Sequence, residues 1–340
     1  MYKIAIVGAS SLLGKELKDA ISDSALVAST FSLLDDGDGQ GQLDQVGDEI
    51  TFVQAIEPDS FQKVDFTFFC GSEELTQRNW QRAVQAGSTV LDLTGALEGE
   101  AGVVVRAPWL SQEQLAANLL TQVVVPAHPA TLALGLVLQR LQPASPRFTA
   151  ATLLTPASEF GRGGMDELHQ QTVSLLSFQT LPQAIYDSQA AFNLLSGFGE
   201  NAKVSLAKLE ETIQRQYKAL GKGRWPAVAL QCIAAPVFHG HVFSIAVELE
   251  RSVPLSALEE ALGSDHLDLI LEDTDSPSNL AATGQNDVLV RMRPITDGRS
   301  SAQVSRMWLW VASDNLRLYA QNAVECALEL RKLRPQGTVQ

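Results

Sequence analysis

Lys3-Ile4-Ala5-Ile6-Val7-Gly8-Ala9-Ser10-Ser11-Leu12-Leu13-Gly14 decides the fold. The run from Lys3 to Val7 is apolar without alternation, as expected of a strand buried on both faces, and Gly8 stops it. From Leu13 to Ile21 apolar residues recur at helical spacing, so the stretch reads as strand, turn, helix. Similar units follow. Leu26 to Leu34 is a second apolar run, ending in the acidic loop Asp35 to Gly41. Val64 to Cys70 is a third, ahead of a polar helix near Glu73 to Ala86, and Thr89 to Leu93 is a fourth. Strands alternating with helices predict a parallel sheet with right-handed crossovers. Residues 1 to about 127 therefore read as an open, doubly wound, nucleotide-type domain.

Beyond His128 the pattern changes. Thr131 to Leu141 is an apolar helix, and strand-like Phe148 to Leu154 leads to a Gly-rich turn, Gly161-Arg162-Gly163-Gly164. Helical runs at Met165 to Ser177 and Lys203 to Leu220 precede strands at Ala227 to Ala234, Val242 to Glu250 and Val288 to Pro294. This order predicts a mixed α+β domain with an antiparallel-rich sheet. Gln303 to Val311 is a further strand, and the helix Asp314 to Leu333 returns the chain to the first domain. The expected division is 1–127 plus 312–340 for the first domain and 128–311 for the second.

Of the 340 residues, 45% are apolar and 19% charged, which describes a globular chain with a sizeable core. The length favours two domains. A net charge of -14 argues against nucleic acid and anionic membrane as partners, because phosphate neutralisation needs clustered Lys and Arg. The longest apolar run, Val123 to Leu138, is interrupted by Pro126, His128 and Pro129, and no membrane span is expected. Three cysteines, Cys70, Cys232 and Cys326, make a disulfide framework implausible. The chain opens with a strand rather than a leader, and the cytoplasm is the expected compartment.

The glycines of the first turn, Gly8 and Gly14, suit a backbone that aims N–H groups and a helix N-terminus at a pyrophosphate. A Walker loop is excluded, since Lys15 is followed by Glu16 and the glycine spacing is one too long. An empty strand-to-helix turn is the alternative on the pattern alone.

Several stretches in order carry a resemblance: Ile4 to Ser10, Phe68-Phe69-Cys70-Gly71-Ser72, Ala86 to Asp92, and Val124-Val125-Pro126 with Ala130-Thr131. Pro236-Val237-Phe238-His239-Gly240-His241 and Ala312 to Arg317 with Asn322-Ala323 complete the set. Together they resemble the aspartate-semialdehyde dehydrogenase family. The resemblance implies an α/β fold in which a discontinuous Rossmann-type domain is completed by the C-terminal helix, beside a mixed α+β catalytic and dimerisation domain. It also implies a homodimer through that second domain. The apolar strands Ala227 to Ala234 and Val242 to Glu250, with helices covering one sheet face, leave a second face that asks for a partner.

Enzymes of this family form a thioester on a cysteine, aided by a histidine acid/base, an arginine clamp, a phosphate-gripping arginine and an orienting Gln. The resemblance puts His128 at the cysteine position. Imidazole can attack an acyl phosphate, but an acyl-imidazole hydrolyses readily and serves hydride transfer poorly, so His128 reads as a polar remnant. His241 falls at the acid/base position and is equally readable as a hydrogen-bonded structural residue. Ala234 stands at the clamp and Glu98 at the phosphate arginine, either repelling a phosphate or lying on a solvated loop. Leu154 to Ser158 contains no Gln. Cys70 ends a sheet strand and reads as structural, Cys232 and Cys326 as small hydrophobes.

The implied cofactor contacts are Gly8, Ser10, Ser11, Leu12, Gly14, Asp36, Cys70, Gly71 and Asn315. Ser11 replaces a glycine that permits close approach to the pyrophosphate. No Lys or Arg occurs between Lys18 and Lys63, and Asp35 or Asp36 matches the acid that receives a ribose 2′-OH, so NAD is favoured over NADP. The stretch Asp35 to Asp48 also reads as a solvated acidic loop. No metal is expected. Two readings stay open: an oxidoreductase turned to another substrate, and a catalytically silent homologue kept for nucleotide binding or partner interaction, which the combined losses favour.

Overall fold

The computed structural model describes residues 2–27, 29–47, 49–110, 122–272, 276–295 and 302–333. Two compact units emerge, Met1–Ala127 with Tyr319–Gln340, and His128–Leu318.

The first unit runs β1 (Lys3–Val7), α1 (Leu12–Ser22), β2 (Thr30–Asp35), β3 (Leu43–Val46), β4 (Glu49–Phe52), β5 (Gln54–Ala55), β6 (Phe66–Phe69), α2 (Glu73–Gln85), β7 (Thr89–Asp92), β8 (Val104–Arg106) and β9 (Val123–Pro126). Seven of the strands form one parallel sheet ordered β5-β2-β1-β6-β7-β9-β8. The expected doubly wound α/β architecture is therefore present. β1 is central, which explains its unbroken apolar run. Ile4 and Ile6 enter one core cluster with Leu17, Ala323 and Leu330, while Ala5 and Val7 enter another with Leu75 and Ala83. Strand order reverses between β1 and β6, so the switch-point crevice opens beside Gly8 and Gly71. Two expectations shift. The apolar run from Leu26 is a strand only from Thr30, since Leu26 is a core residue in the turn after α1. The acidic loop ends early, because β3 and β4 form a separate hairpin.

The second unit comprises α3 (Pro129–Leu141), β10 (Pro146–Thr155), α4 (Gly161–Leu176), α5 (Leu206–Gly221), β11 (Ala229–Ala234), β12 (His241–Pro254), α6 (Leu255–Leu262), β13 (Leu267–Leu269), α7 (Asn279–Ala282), β14 (Val288–Pro294), β15 (Gln303–Ser313) and the start of α8 (Asn315–Leu333). Its sheet is ordered β11-β10-β12-β15-β14-β13, parallel at both ends and antiparallel between. This is the mixed sheet expected.

The Gly-rich turn is a correction. Gly161 to Gly164 form the first turn of α4, not a loop. Close packing outweighs glycine's poor helix propensity there: a Cβ on Gly164 would lie 2.8 Å from the Tyr186 hydroxyl and 2.9 Å from the Ala157 carbonyl. Further along α4, buried Gln171 accepts the N–H groups of Ala190 and Ala191 and donates to the carbonyls of Pro182 and Ser188, and so fixes the irregular segment after the helix.

Alternate residues of the central strands are buried, among them Leu153, Phe243, Ile245, Val247, Leu309 and Val311. Helix α5 packs on β11 and α6 on β12 and β13, with α3 against both helices. On the opposite face, cross-strand rows run Thr152, Ser244, Trp310, Arg291 and Ala150, Ala246, Trp308, Arg293. Trp308 is 40% exposed and Phe148, farther along β10, 54%.

Candidate functional site

Three segments of the second unit converge on one carboxylate, that of Glu159, whose side chain is 11% exposed. β10 ends at Thr155, and a 3₁₀ turn, Ala157–Phe160, carries Glu159 to the start of α4. The turn is bound to the neighbouring loop by N–H bonds from Ala157 and Ser158 to the carbonyls of Val237 and Phe238. Glu159 Oε1 lies 2.7 Å from His128 Nε2 and Oε2 lies 2.8 Å from His241 Nε2.

His128 caps α3, its Nδ1 accepting the Ala130 N–H at 3.2 Å, while its own N–H bonds the Gln216 Oε1 at 2.7 Å. An Nδ1 that accepts forces the proton of the neutral ring onto Nε2, so His128 donates to Glu159. His241 opens β12 fully buried, and its Nδ1 has no partner among the described residues. Burial alone would push the Glu159 carboxyl up. Instead electrostatic attraction to His128 and the hydrogen bonds from both imidazoles hold it well below the usual carboxylate range.

Asn315, expected at a cofactor, is 2% exposed and is committed within the second unit. Its Oδ1 accepts the Gly240 N–H at 3.1 Å, and its amide donates to Ser158 Oγ. It thereby clamps the residue before His241 and the residue before Glu159. Ala234 is buried and lines, with Thr155, Phe160, Leu168, Tyr186 and Leu195, a hollow barely large enough for a water molecule.

In the first unit, a Cβ on Gly8 (φ +86°) would lie 2.3 Å from the Gly71 nitrogen, and one on Gly14 would lie 2.5 Å from the Gly8 carbonyl. Only glycine allows these approaches. Ser11 caps α1 by accepting the Gly14 N–H, and its hydroxyl donates to the Cys70 carbonyl at 2.7 Å. The backbone N–H groups of Leu12 and Leu13 at the helix start have no partner among the described residues. The Ser10 N–H donates to Asp35 Oδ2 at 2.9 Å, placing that carboxylate at the end of β2 beside the loop. Asp36 is exposed and paired with Arg78 at 2.7 Å. The Cys70 thiol faces inward, near the Val7 carbonyl, and burial pushes it up to about 12. Glu98 is half-buried in the turn after β7, its N–H on the Gly95 carbonyl.

Residues 3–118 match the family described as "Semialdehyde dehydrogenase, NAD binding domain", and residues 138–318 match "Semialdehyde dehydrogenase, dimerisation domain". The chain belongs to the semialdehyde dehydrogenase family. A relative from Azotobacter vinelandii named "USG-1 protein homolog" is 30% identical over 329 residues, covering 95% of this chain and 96% of its own. Among solved structures, a probable aspartate-semialdehyde dehydrogenase from Pseudomonas aeruginosa is 27% identical with a TM-score of 0.84, covering 97% of this chain and 98% of its own. Aspartate semialdehyde dehydrogenase II of Vibrio cholerae, solved in complex with ASA, is 23% identical with a TM-score of 0.86 and covers 98% of each chain. The last similarity concerns the fold.

The two histidines singled out in the sequence meet at a carboxylate, Glu159, that the sequence reading does not single out. The stretch Leu154 to Ser158, which lacks an orienting Gln, ends one residue before Glu159. An acid at the junction of a strand end and a Gly-rich helix start was the available signal. Gln216 and Arg78 carry no local signal.

Glu159→Gln offers one acceptor oxygen to two imidazole donors and is expected to lower unfolding free energy by about 3 kcal/mol at neutral pH. The folded carboxyl ionises at lower pH than an unfolded glutamate, so its contribution is complete above its ordinary value of 4.5 and fades as pH falls. Denaturant melts of both proteins check this, and a gap that stays constant to about pH 3 would refute it.

Proposed function

We propose that this chain is a semialdehyde dehydrogenase homologue, silent in phosphate-dependent semialdehyde oxidation, that retains a nucleotide-binding first domain and pairs as a homodimer through its second. The observation that carries the reading is the commitment of both ring nitrogens of His128. A nucleophile needs a free lone pair, and in the assigned tautomer Nδ1 receives the Ala130 N–H while Nε2 holds the proton given to Glu159.

No thiol substitutes. Cys70, Cys232 and Cys326 are all buried, and burial pushes Cys232 up to about 12, so a thiolate is not populated at neutral pH. The position where the family resemblance expects a carboxylate clamp is Ala234, beside a hollow too small for a substrate. His241 retains a position suited to acid/base work, but its Nε2 is held by Glu159 and leaves it no nucleophile to serve. The protein is proposed to work in the cytoplasm, where three unpaired thiols stay reduced. Among the described residues no helix is long and apolar enough to cross a membrane, and no cluster suits a metal ion.

A dinucleotide fits the first unit. The Leu12 and Leu13 N–H groups would receive its pyrophosphate, with Gly8, Ser10, Ser11, Gly14 and Gly71 forming the approach. Asp35, held in place by Ser10, would receive a ribose 2′-OH, and an extra phosphate would meet two carboxylates. Arg78, a cation that reaches this acidic stretch, is already paired with Asp36. NAD is therefore the favoured cofactor.

Purified protein is expected to show no phosphate-dependent reduction of NAD or NADP with aspartate semialdehyde, and His128→Cys alone should not restore turnover while Ala234 stays. Family-like turnover lost on His128→Ala would overturn the silent reading. In calorimetry NAD should bind more tightly than NADP, and Asp36→Ala, by releasing Arg78, should shift the ratio toward NADP by about tenfold. Tighter NADP binding by the unaltered protein would contradict this. Light scattering at micromolar concentration should give twice the chain mass, and Trp308→Glu with Trp310→Glu should halve it, because these indoles stand on the open face of the second sheet.

A further inference from the structure

The segment from Asp19 to Gln62 contains ten carboxylates and no Lys, Arg or His, within a chain of net charge -14. The β3–β4 hairpin lies inside it, apart from the seven-stranded sheet. Its register pairs Leu43 with Phe52 and Gln45 with Ile50 on one face, and places Asp44, Thr51 and Val46 on the other. The second of these faces is pinned inward. Val46 is in the core, Asp44 is ion-paired with buried Lys18 of α1, and the Gly47 N–H donates to Ser22 Oγ at 2.7 Å.

That anchoring turns the other face to solvent. Leu43 and Ile50 are each 66% exposed and Phe52 57%. Single exposed apolar side chains are ordinary, but these three adjoin across a hairpin whose orientation is fixed, and they form one patch. Asp19 and Asp23 are exposed on and just after α1, the helix that carries the hairpin. The charge selects the occupant. A second copy would bring the same carboxylates against these, and phosphate-bearing surfaces would be repelled. We propose that the outer face of this hairpin docks a cationic amphipathic segment of a different protein. Its apolar side chains would lie on Leu43, Ile50 and Phe52, with its Lys or Arg toward Asp19 and Asp23. The proposal concerns the first unit only and is independent of the reading of the histidine site.

A short fluorescein-labelled amphipathic peptide of Leu and Lys tests it by anisotropy against the full chain. Saturable binding is expected, weakened at least about tenfold by combined Leu43→Ser, Ile50→Ser and Phe52→Ser, and weakened by added salt. Asp19→Lys with Asp23→Lys leaves the apolar face intact and should independently weaken the peptide about tenfold. Equal binding by either variant would overturn the proposal, as would preference for a Leu and Glu peptide. A fall in the chain's own sedimentation mass on the triple substitution would show a second copy to be the occupant and would also overturn it.

Discussion

A carboxylate out of water must be answered by hydrogen bonds, and that requirement organises the second unit. Glu159 sits between two imidazoles whose backbones belong to a helix start and a strand start far apart in sequence. Each is fixed from behind. His128 is held by Gln216 and by its own helix, while His241 and Glu159 are indexed by the Asn315 clamp on Gly240 and Ser158. Displacing any one segment would leave a charge or a donor unanswered. The same carboxylate that makes this junction rigid also holds Nε2 of each imidazole.

The first unit rests on contact between backbones. Gly8 against Gly71, and Gly14 against Gly8, leave no room for side chains, so β1, β6 and α1 meet at one crevice. Helix α8 supports this sheet from the chain's far end. Arg106 makes a two-pronged ion pair with Glu329, and the Asn322 amide donates to the Ala127 carbonyl. These two anchors explain how the last turns of a helix that begins in the second unit come to belong to the first.

Much of this was readable from residues alone, for identifiable reasons. Lys3 to Val7 and Val288 to Pro294 are strands bounded by glycine, proline or turn residues, and periodicity marks them cleanly. Gly161 to Gly164 misleads because glycine is required for contact with Tyr186 rather than for a turn, a tertiary demand with no local signature. The hairpin is hidden by its acidic setting. Its alternation of Leu43, Gln45 and Ile50, Phe52 points outward, against the usual sense of an apolar pattern. At the site, His128 and His241 are identifiable from their neighbours in sequence. Their union through Glu159 depends on the 3₁₀ turn, which redirects one side chain after β10. Arg78 reaches Asp36 from another element, so a count of local cations cannot find it.

The three cysteines have a further meaning. Cys70, Cys232 and Cys326 are all interior, with burial raising each thiol far above the range in which it would ionise. Thioester chemistry obliges a protein to expose a sulfur that oxidants and electrophiles also find. This chain has the architecture without the exposed sulfur. Peroxide and alkylating agents react with thiolates, so all three thiols should stay unmodified while the chain is folded and become reactive only on unfolding.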